Sequence, residues 1–376
     1  MFSLELPTQF ADCPPAANPL MASFNSSSSF SLDAQVDQLL EQLPDLPYQK
    51  WISRSLATIL ALVAEGDKIS RLDWKILSAA LQDMQQGFEV FQPYRHVRKV
   101  TIFGSARLAA DSPEYRMAFE FARKVTELGF MVMTGAGGGI MQAGNEGAGT
   151  HCSFGLNIQL PHEQSANPFI AENEKLINFK YFFTRKLFFL KESDAIALFP
   201  GGFGTLDEAF ETLTLTQNGR FGPAPLVLID PPGGHYWQDW QAYITKNLAQ
   251  RGLISPDDSS LYTITDNVDE ACQVIANFYQ VYHSSRYVDE QFVLRLKCEL
   301  SDATVAELNA DFSDILLSGA ITKSAALPAE QGDETEKLPR LVLHFNRRDF
   351  GRLYQLIHRI NQFGLIASES LHPEQR

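Results

Sequence analysis

Short, unbroken apolar runs alternate along the chain with stretches in which apolar residues recur every three or four positions. The runs at 100–103 (Val-Thr-Ile-Phe), 130–133 (Phe-Met-Val-Met), 154–160, 195–199 (Ala-Ile-Ala-Leu-Phe) and 225–230 carry almost no charge. That is the pattern of strands buried on both faces of a parallel sheet. Helical spacing predicts helices over 113–128, over 182–192 (Phe183, Leu187, Phe188, Leu190), from about Thr205 onward (Leu206, Ala209, Phe210, Leu213) and over 237–248. A last helix, capped by Asp266 or Asn267, runs to Phe278, and 173–180 and 262–264 read as further extended pieces. Strand–helix alternation over 99–282 means an α/β fold, a doubly wound parallel sheet of Rossmann-like type.

The flanks read differently. Residues 1–30 hold prolines and a serine run and are expected to be loosely ordered. Residues 31–94 carry three amphipathic patterns, near 32–43, 51–66 and 74–88, and are expected to form a helical module. From 283 to 376, strands at 292–296 and 341–345 each precede a helical pattern, at 302–317 and 349–363, giving a small α/β accessory module. Between them the acidic stretch 325–339, with Pro328, Gly332 and Pro339, reads as a mobile linker.

Composition narrows the function. The net charge of −14 and a pI near 5.0 would repel a nucleic-acid backbone, so no nucleic-acid partner is expected. Cys13, Cys152, Cys272 and Cys298 form no CxxC pair, which argues against a zinc site or a disulfide framework and for a reducing cytoplasm. His162 has no companion histidine at ligand spacing and is assigned to ordinary loop use. No apolar segment is long enough to span a bilayer and no leader peptide is read at the N-terminus, so no membrane partner is expected.

The chemistry concentrates in two glycine-rich turns. Pro200-Gly201-Gly202-Phe203-Gly204-Thr205-Leu206-Asp207-Glu208 follows one apolar run and opens a helix. Thr134-Gly135-Ala136-Gly137-Gly138-Gly139-Ile140-Met141 follows another and does the same. Glycines let a backbone approach a ligand closely, and a helix N-terminus presents free N–H groups that suit a phosphate. Glu208 stands where its carboxylate can point back at whatever the glycines hold. Thr205-x-x-Glu208 is also the spacing of a capping box, in which both side chains only satisfy backbone donors. Gly104-Ser105-Ala106-Arg107, at the end of the first strand, adds candidate substrate contacts at the position where such sheets bind ligands. There is no GxxxxGK[ST] motif and no lysine in either turn, which argues against a nucleotide triphosphatase and against pyridoxal chemistry there.

Together with Phe183-Thr184-Arg185-Lys186, these two turns resemble the LOG (LONELY GUY) family over about residues 95–282. Members are nucleoside 5′-monophosphate phosphoribohydrolases, often mislabelled as lysine decarboxylases. The resemblance implies Arg185 and Glu208 as catalytic residues. It implies substrate contacts at Gly104, Ser105, Gly137, Gly138, Gly139, Met141, Lys186, Gly201, Gly202, Gly204 and Thr205. No metal and no cofactor are implied. The expected reaction is hydrolysis of the N-glycosidic bond of a purine 5′-monophosphate, AMP-like or a cytokinin riboside. Such cleavage builds positive charge on the ribose, which a carboxylate stabilises. The alternative is a nucleotide-sensing protein that uses the same pocket without turnover. The resemblance also implies a homodimer or higher homo-oligomer.

Overall fold

The computed structural model describes residues 48–159 and 165–370, with the side chains of the last helix described as far as Phe363. The tail 1–30, the helix expected near 32–43, Cys13 and His162 lie outside the described residues.

Seven strands form one sheet in which every pairing is parallel. They are β1 (Lys99–Phe103), β2 (Met131–Thr134), β3 (Ser153–Ile158), β4 (Leu176–Phe179), β5 (Ala195–Leu198), β6 (Leu226–Ile229) and β7 (Thr263–Thr265). Their order is β4-β3-β2-β1-β5-β6-β7. The chain winds outward from β1 to β4 and then returns to lay β5 against the other edge of β1. The strand order therefore reverses between β1 and β5. β1, β2, β3, β5 and β6 are buried at every position, which is why their sequences do not alternate apolar with polar.

Among the described residues eight helices accompany these strands: α1 (Gln49–Ala64), α2 (Arg71–Phe91), α3 (Pro113–Glu127), α4 (Ile140–Ala148), α5 (Phe182–Lys191), α6 (Phe203–Gln217), α7 (Tyr236–Ile244) and α8 (Val268–Phe278). One face of the sheet packs Phe121 of α3, Ala143 of α4 and Ile275 of α8. The other packs Phe91 of α2, Phe188 of α5 and Trp237 of α7. Asn267, not Asp266, caps α8, its side chain accepting from Glu270 N. α2 approaches α5 so closely that a Cβ on Gly87 would lie 2.3 Å from the Phe188 ring. α1 has no buried residue.

The C-terminal strands are β8 (Tyr282–Val288), β9 (Gln291–Leu296), β10 (Leu316–Ser324) and β11 (Arg340–Phe345), with helices α9 (Asp302–Phe312) and α10 (Phe350–Ser370). They make an antiparallel sheet in the order β10-β11-β9-β8. β9 and β11 are the two expected strands. β8 and β10 are additional, and α9 stops before the expected Leu317 because the chain turns into β10. β10 is an edge strand with Ile321 as its one buried position and an irregular register against β11. It leaves no apolar alternation to read.

The inner side of this sheet, with Leu294, Leu343 and Ile357, continues the core of the α3–α4–α8 face. Asn361 of α10 stitches the two together, accepting from Val281 N (2.8 Å) and Tyr282 N (2.9 Å) and donating to Phe278 O (2.8 Å). Tyr354 Oη accepts from Ala224 N and donates to Ala224 O, both at 3.0 Å. The stretch expected to be a mobile linker is instead anchored by Glu330, which is fully buried. Its carboxylate takes Arg295 Nη2 at 2.6 Å and Arg340 Nε at 2.9 Å, while Arg340 also donates to the carbonyls of Thr335 and Glu336 at 3.0 Å each. A buried carboxylate this fully paired fixes the backbone around it.

Candidate active site

A doubly wound sheet binds its ligand beyond the carboxyl ends of its strands, where the strand order reverses. Here that point lies between the turn after β1 and the turn after β5. Ser105 N, in the first, donates to Pro200 O, in the second, at 3.1 Å. The turn after β2 packs behind them: Ile140 N donates to Ser105 O at 3.0 Å. Gly139, with φ 59°, comes so near that a Cβ would sit 2.2 Å from the same oxygen. Only glycine meets both conditions.

These turns enclose a cleft of about 850 Å³. Of the expected site residues, Gly104, Ser105, Met141, Arg185, Gly201, Gly202, Gly204, Thr205 and Glu208 line it, and so does Arg107. Gly137, Gly138, Gly139 and Lys186 are not in its wall. The 137–139 turn buttresses the Ser105–Arg107 turn from behind, and Lys186 contacts Asp207 and Glu208 of the wall without lining it itself. Gly135 lines the cleft although no role was read for it. A Cβ there would lie 2.3 Å from Arg185 Nη2 and 2.6 Å from Met141 Sδ.

α6 begins at Phe203, with Gly202 as its N-cap and no side-chain cap. Thr205 and Glu208 are therefore both inside the helix, and the capping-box alternative does not describe them. Thr205 is buried, its Oγ1 lying where a Cβ on Gly201 would come within 2.1 Å. Around Gly202 and Gly204, by contrast, a Cβ would meet nothing within 4 Å. Bare backbone thus faces open cleft at the first turn of a helix, where N–H groups have no intrahelical partner. Tyr236 Oη, donating to Gly201 O at 2.7 Å, holds this turn from α7.

Arg185 reaches the cleft from α5. Nε donates to Leu156 O at 2.7 Å and Nη2 to Gly135 O at 3.2 Å, so the guanidinium is pinned on the carboxyl ends of β3 and β2. Its Cζ lies 5.0 Å from the centroid of the Phe189 ring. Burial pulls its pKa down to about 10, partly offset by the field of Glu208, and it stays cationic at neutral pH.

Glu208 is 12% exposed. Burial pushes its pKa above the ordinary glutamate value, Glu211 adds to that, and Lys186 and Arg185 oppose it. The cation in contact with it is Lys186, whose Nζ lies 3.2 Å from Glu208 Oε1. The same Nζ lies 2.9 Å from Asp207 Oδ2 and 2.6 Å from Glu211 Oε2. Burial works against the Lys186 charge, but the three carboxylates outweigh it and hold its pKa above the usual lysine value.

Several supporting residues were not anticipated. Asp83 of α2 anchors the entry to α5: it accepts from Lys180 N, Tyr181 N and Thr184 Oγ1, at 3.0, 3.2 and 2.6 Å. Its signal was present, because buried Ala80, Asp83, Gly87 and Phe91 recur at helical spacing and place an acid on the apolar stripe. Asn145 and Asn167 brace the turn after β2. Asn145 Oδ1 accepts from Thr134 Oγ1 (2.7 Å) and Asn167 Nδ2 (3.0 Å), and Asn167 also donates to Ala136 O and Gly137 O. This network holds Ala136 at φ 62°, a left-handed value a non-glycine residue rarely takes. At the cleft mouth stand Phe182 and Phe203, the latter 94% exposed.

Among the described residues no cluster of His, Cys, Asp and Glu could hold a metal ion. No described helix is long and apolar enough to cross a membrane.

Residues 133–275 match a family model described as possible lysine decarboxylase. The chain is 34% identical over 94 residues to the cytokinin riboside 5′-monophosphate phosphoribohydrolase of Mycobacterium tuberculosis, covering 24% of this chain and 47% of that protein. It is 29% identical over 121 residues to the cytokinin riboside 5′-monophosphate phosphoribohydrolase LOG1 of Arabidopsis thaliana, covering 31% and 55%. The chain thus spans about half the length of the curated relatives it matches. Among solved structures it is similar to TM1055 (22% identity, TM-score 0.35, 48% of this chain and 98% of that one). It is also similar to the molybdenum cofactor carrier protein of Chlamydomonas reinhardtii (16% identity, TM-score 0.34, 48% and 99%). Those two structural likenesses carry no functional weight. The family match falls on the unit that holds the cleft, and the chain is similar to these LOG-type phosphoribohydrolases.

Proposed function

We propose that the cleft hydrolyses the N-glycosidic bond of a purine nucleoside 5′-monophosphate, AMP-like or a cytokinin riboside monophosphate. The products are the free base and ribose 5-phosphate. One observation carries the proposal: the Glu208 carboxylate, the Arg185 guanidinium and the bare first turn of α6 line a single cleft. The activities named for the two curated relatives support the same reaction class.

In this reading the first turn of α6, with Ser105 and Arg107, takes the 5′-phosphate. The C1′–N bond breaks with its electron pair going to the base, and a cation develops on the ribose. Glu208 opposes that charge and accepts a proton from the water whose oxygen joins C1′. The proton passes on to the departing nitrogen, so the sum is nucleotide plus water to base plus ribose 5-phosphate. Arg185 Nη1, which makes no hydrogen bond among the described residues, is the donor offered to the leaving base. Phe182 and Phe203 supply a surface on which a planar base can stack.

Full-length protein incubated with AMP should release adenine, detected by chromatography. Adenosine, which lacks the phosphate, should be a much poorer substrate. Tight AMP binding without adenine release would replace this reading with nucleotide sensing.

We also infer a homodimer or higher homo-oligomer. Phe88 of α2, Phe183 and Leu187 of α5 and Phe210 of α6 are all exposed, as are Trp51 and Leu60 of α1. Monomers rarely leave a broad apolar patch in water. Light scattering that returned a monomer at micromolar concentration would overturn the inference.

A further inference from the structure

We propose that Lys186 is the positioning residue of this site: it holds the Glu208 carboxylate ionised and aimed at the cleft, and does not itself bind substrate. The proposal rests on the hydrolytic reading only for its kinetic consequence.

The geometry excludes the simpler role. An ammonium has three N–H donors and no acceptor. Around Lys186 Nζ stand three carboxylate oxygens, from Asp207, Glu208 and Glu211, at 2.9, 3.2 and 2.6 Å. Nζ donates to Glu211 and stands at ion-pair distance from the other two, and the side chain is outside the wall of the cleft that Arg185, its neighbour in sequence, helps to line. A phosphate or base would have to displace a carboxylate to reach it.

The charge balance says what the contact does. Three carboxylates facing one ammonium leave two formal negative charges around Nζ. The groups facing Glu208 are Lys186 and Arg185 from α5 and Asp207 and Glu211 from its own helix, with Arg107 across the cleft. Arg185 is pinned to the carbonyls of Leu156 and Gly135, and no hydrogen bond or ion pair joins it to Glu208 among the described residues. Among the described residues Lys186 is thus the one cation at ion-pair distance from a half-enclosed carboxylate whose burial and acidic neighbour both favour its protonated form. Without it, Glu208 would gain a proton at higher pH and lose the contact that fixes its rotamer.

The test uses full-length Lys186→Met and Lys186→Arg with two readouts. In the first, the acidic limb of the kcat/KM profile for AMP should move up by at least about one pH unit in Lys186→Met, a tenfold change in ionised fraction on that limb. kcat should fall more than KM rises, raising the pH should restore most of the rate, and Lys186→Arg should keep the original limb. In the second, protein carrying ¹³C at the glutamate δ-carbon is titrated by NMR, the Glu208 signal being identified by its loss in Glu208→Gln. Its midpoint should rise by at least about one unit in Lys186→Met whether or not the protein turns over AMP. A uniform rate loss with an unmoved limb, or an unmoved carboxyl midpoint, would overturn the assignment. A moved midpoint in a protein that never releases adenine would instead leave Lys186 in place and remove the hydrolytic reading.

Discussion

Asp83 Oδ2 lies 2.6 Å from Thr184 Oγ1, an acid on α2 closing the N-terminus of the helix that carries Arg185 and Lys186. α5 has no side-chain cap of its own, since Tyr181 occupies the N-cap. A carboxylate from elsewhere in the chain ties down the two residues leading into the helix, and its charge complements the helix dipole. The helical flank thereby becomes part of the machinery that aims the site.

Replacing Asp83 by alanine leaves the part-buried donors Lys180 N and Tyr181 N without this acceptor. The expected cost is about 2 kcal/mol of stability, read from urea or thermal unfolding, together with a loss of rate because Arg185 rides on α5. A variant with normal stability and rate would mean that α5 is held by its packing on Phe188 and Phe189 alone.

Glu208→Gln keeps size and removes the charge. Turnover of AMP should fall by at least about a hundredfold, the scale of acid–base participation, while the melting temperature hardly moves, because Gly202 and not this residue begins α6. Retention of rate within a few-fold would place the essential carboxylate elsewhere.

Two glycines should respond in opposite ways. Gly139→Ala meets a carbonyl oxygen at 2.2 Å and a left-handed φ, and should lose more than about 1 kcal/mol of stability. Gly204→Ala meets nothing within 4 Å and lies in a helix, so its stability should hold or rise by up to about 1 kcal/mol. Its methyl group occupies cleft space at the proposed phosphate seat, and KM for AMP should climb several-fold. An unchanged KM would move the phosphate away from the first turn of α6.

The pH dependence has two signs. Burial raises the folded pKa of Glu208 above the ordinary 4.5, so activity should fall as pH drops through a value above the usual glutamate range. The same shift means its stability contribution declines as pH rises through that interval, because the folded chain holds the proton longer. Glu330 behaves oppositely. Burial works to raise its pKa, but Arg295, Leu327 N and Arg340 overcome this and lower it. Its stabilisation is present above about 4.5 and is lost as pH falls through the depressed folded value. Glu330→Gln should cost about 3–5 kcal/mol by leaving Arg295 and Arg340 without a buried counter-charge. Denaturant melts from pH 3 to 7 on wild type and variant measure both effects, and parallel curves would remove Glu330 from the acid response.

The sequence by itself determined the central sheet and the positions of its two glycine-rich turns. Strands such as Ala195–Leu198 are legible because burial on both faces demands an unbroken apolar run. The turns at 135–139 and 201–204 are legible because bare backbone at a strand–helix junction requires glycine. Tertiary structure alone decided how those parts meet. Arg185 and Lys186 are adjacent and cationic, but about 100° separates successive side chains on a helix. Only the packing of α5 beside α6 sends one into the cleft and the other onto Glu208. Asp83 and Lys180, 97 positions apart, share no local pattern, and their pairing exists because α2 crosses the start of α5. β10 is a strand through its neighbour β11, its own residues being mostly exposed. Local periodicity records which face of an element is buried; it holds no record of which other element does the burying.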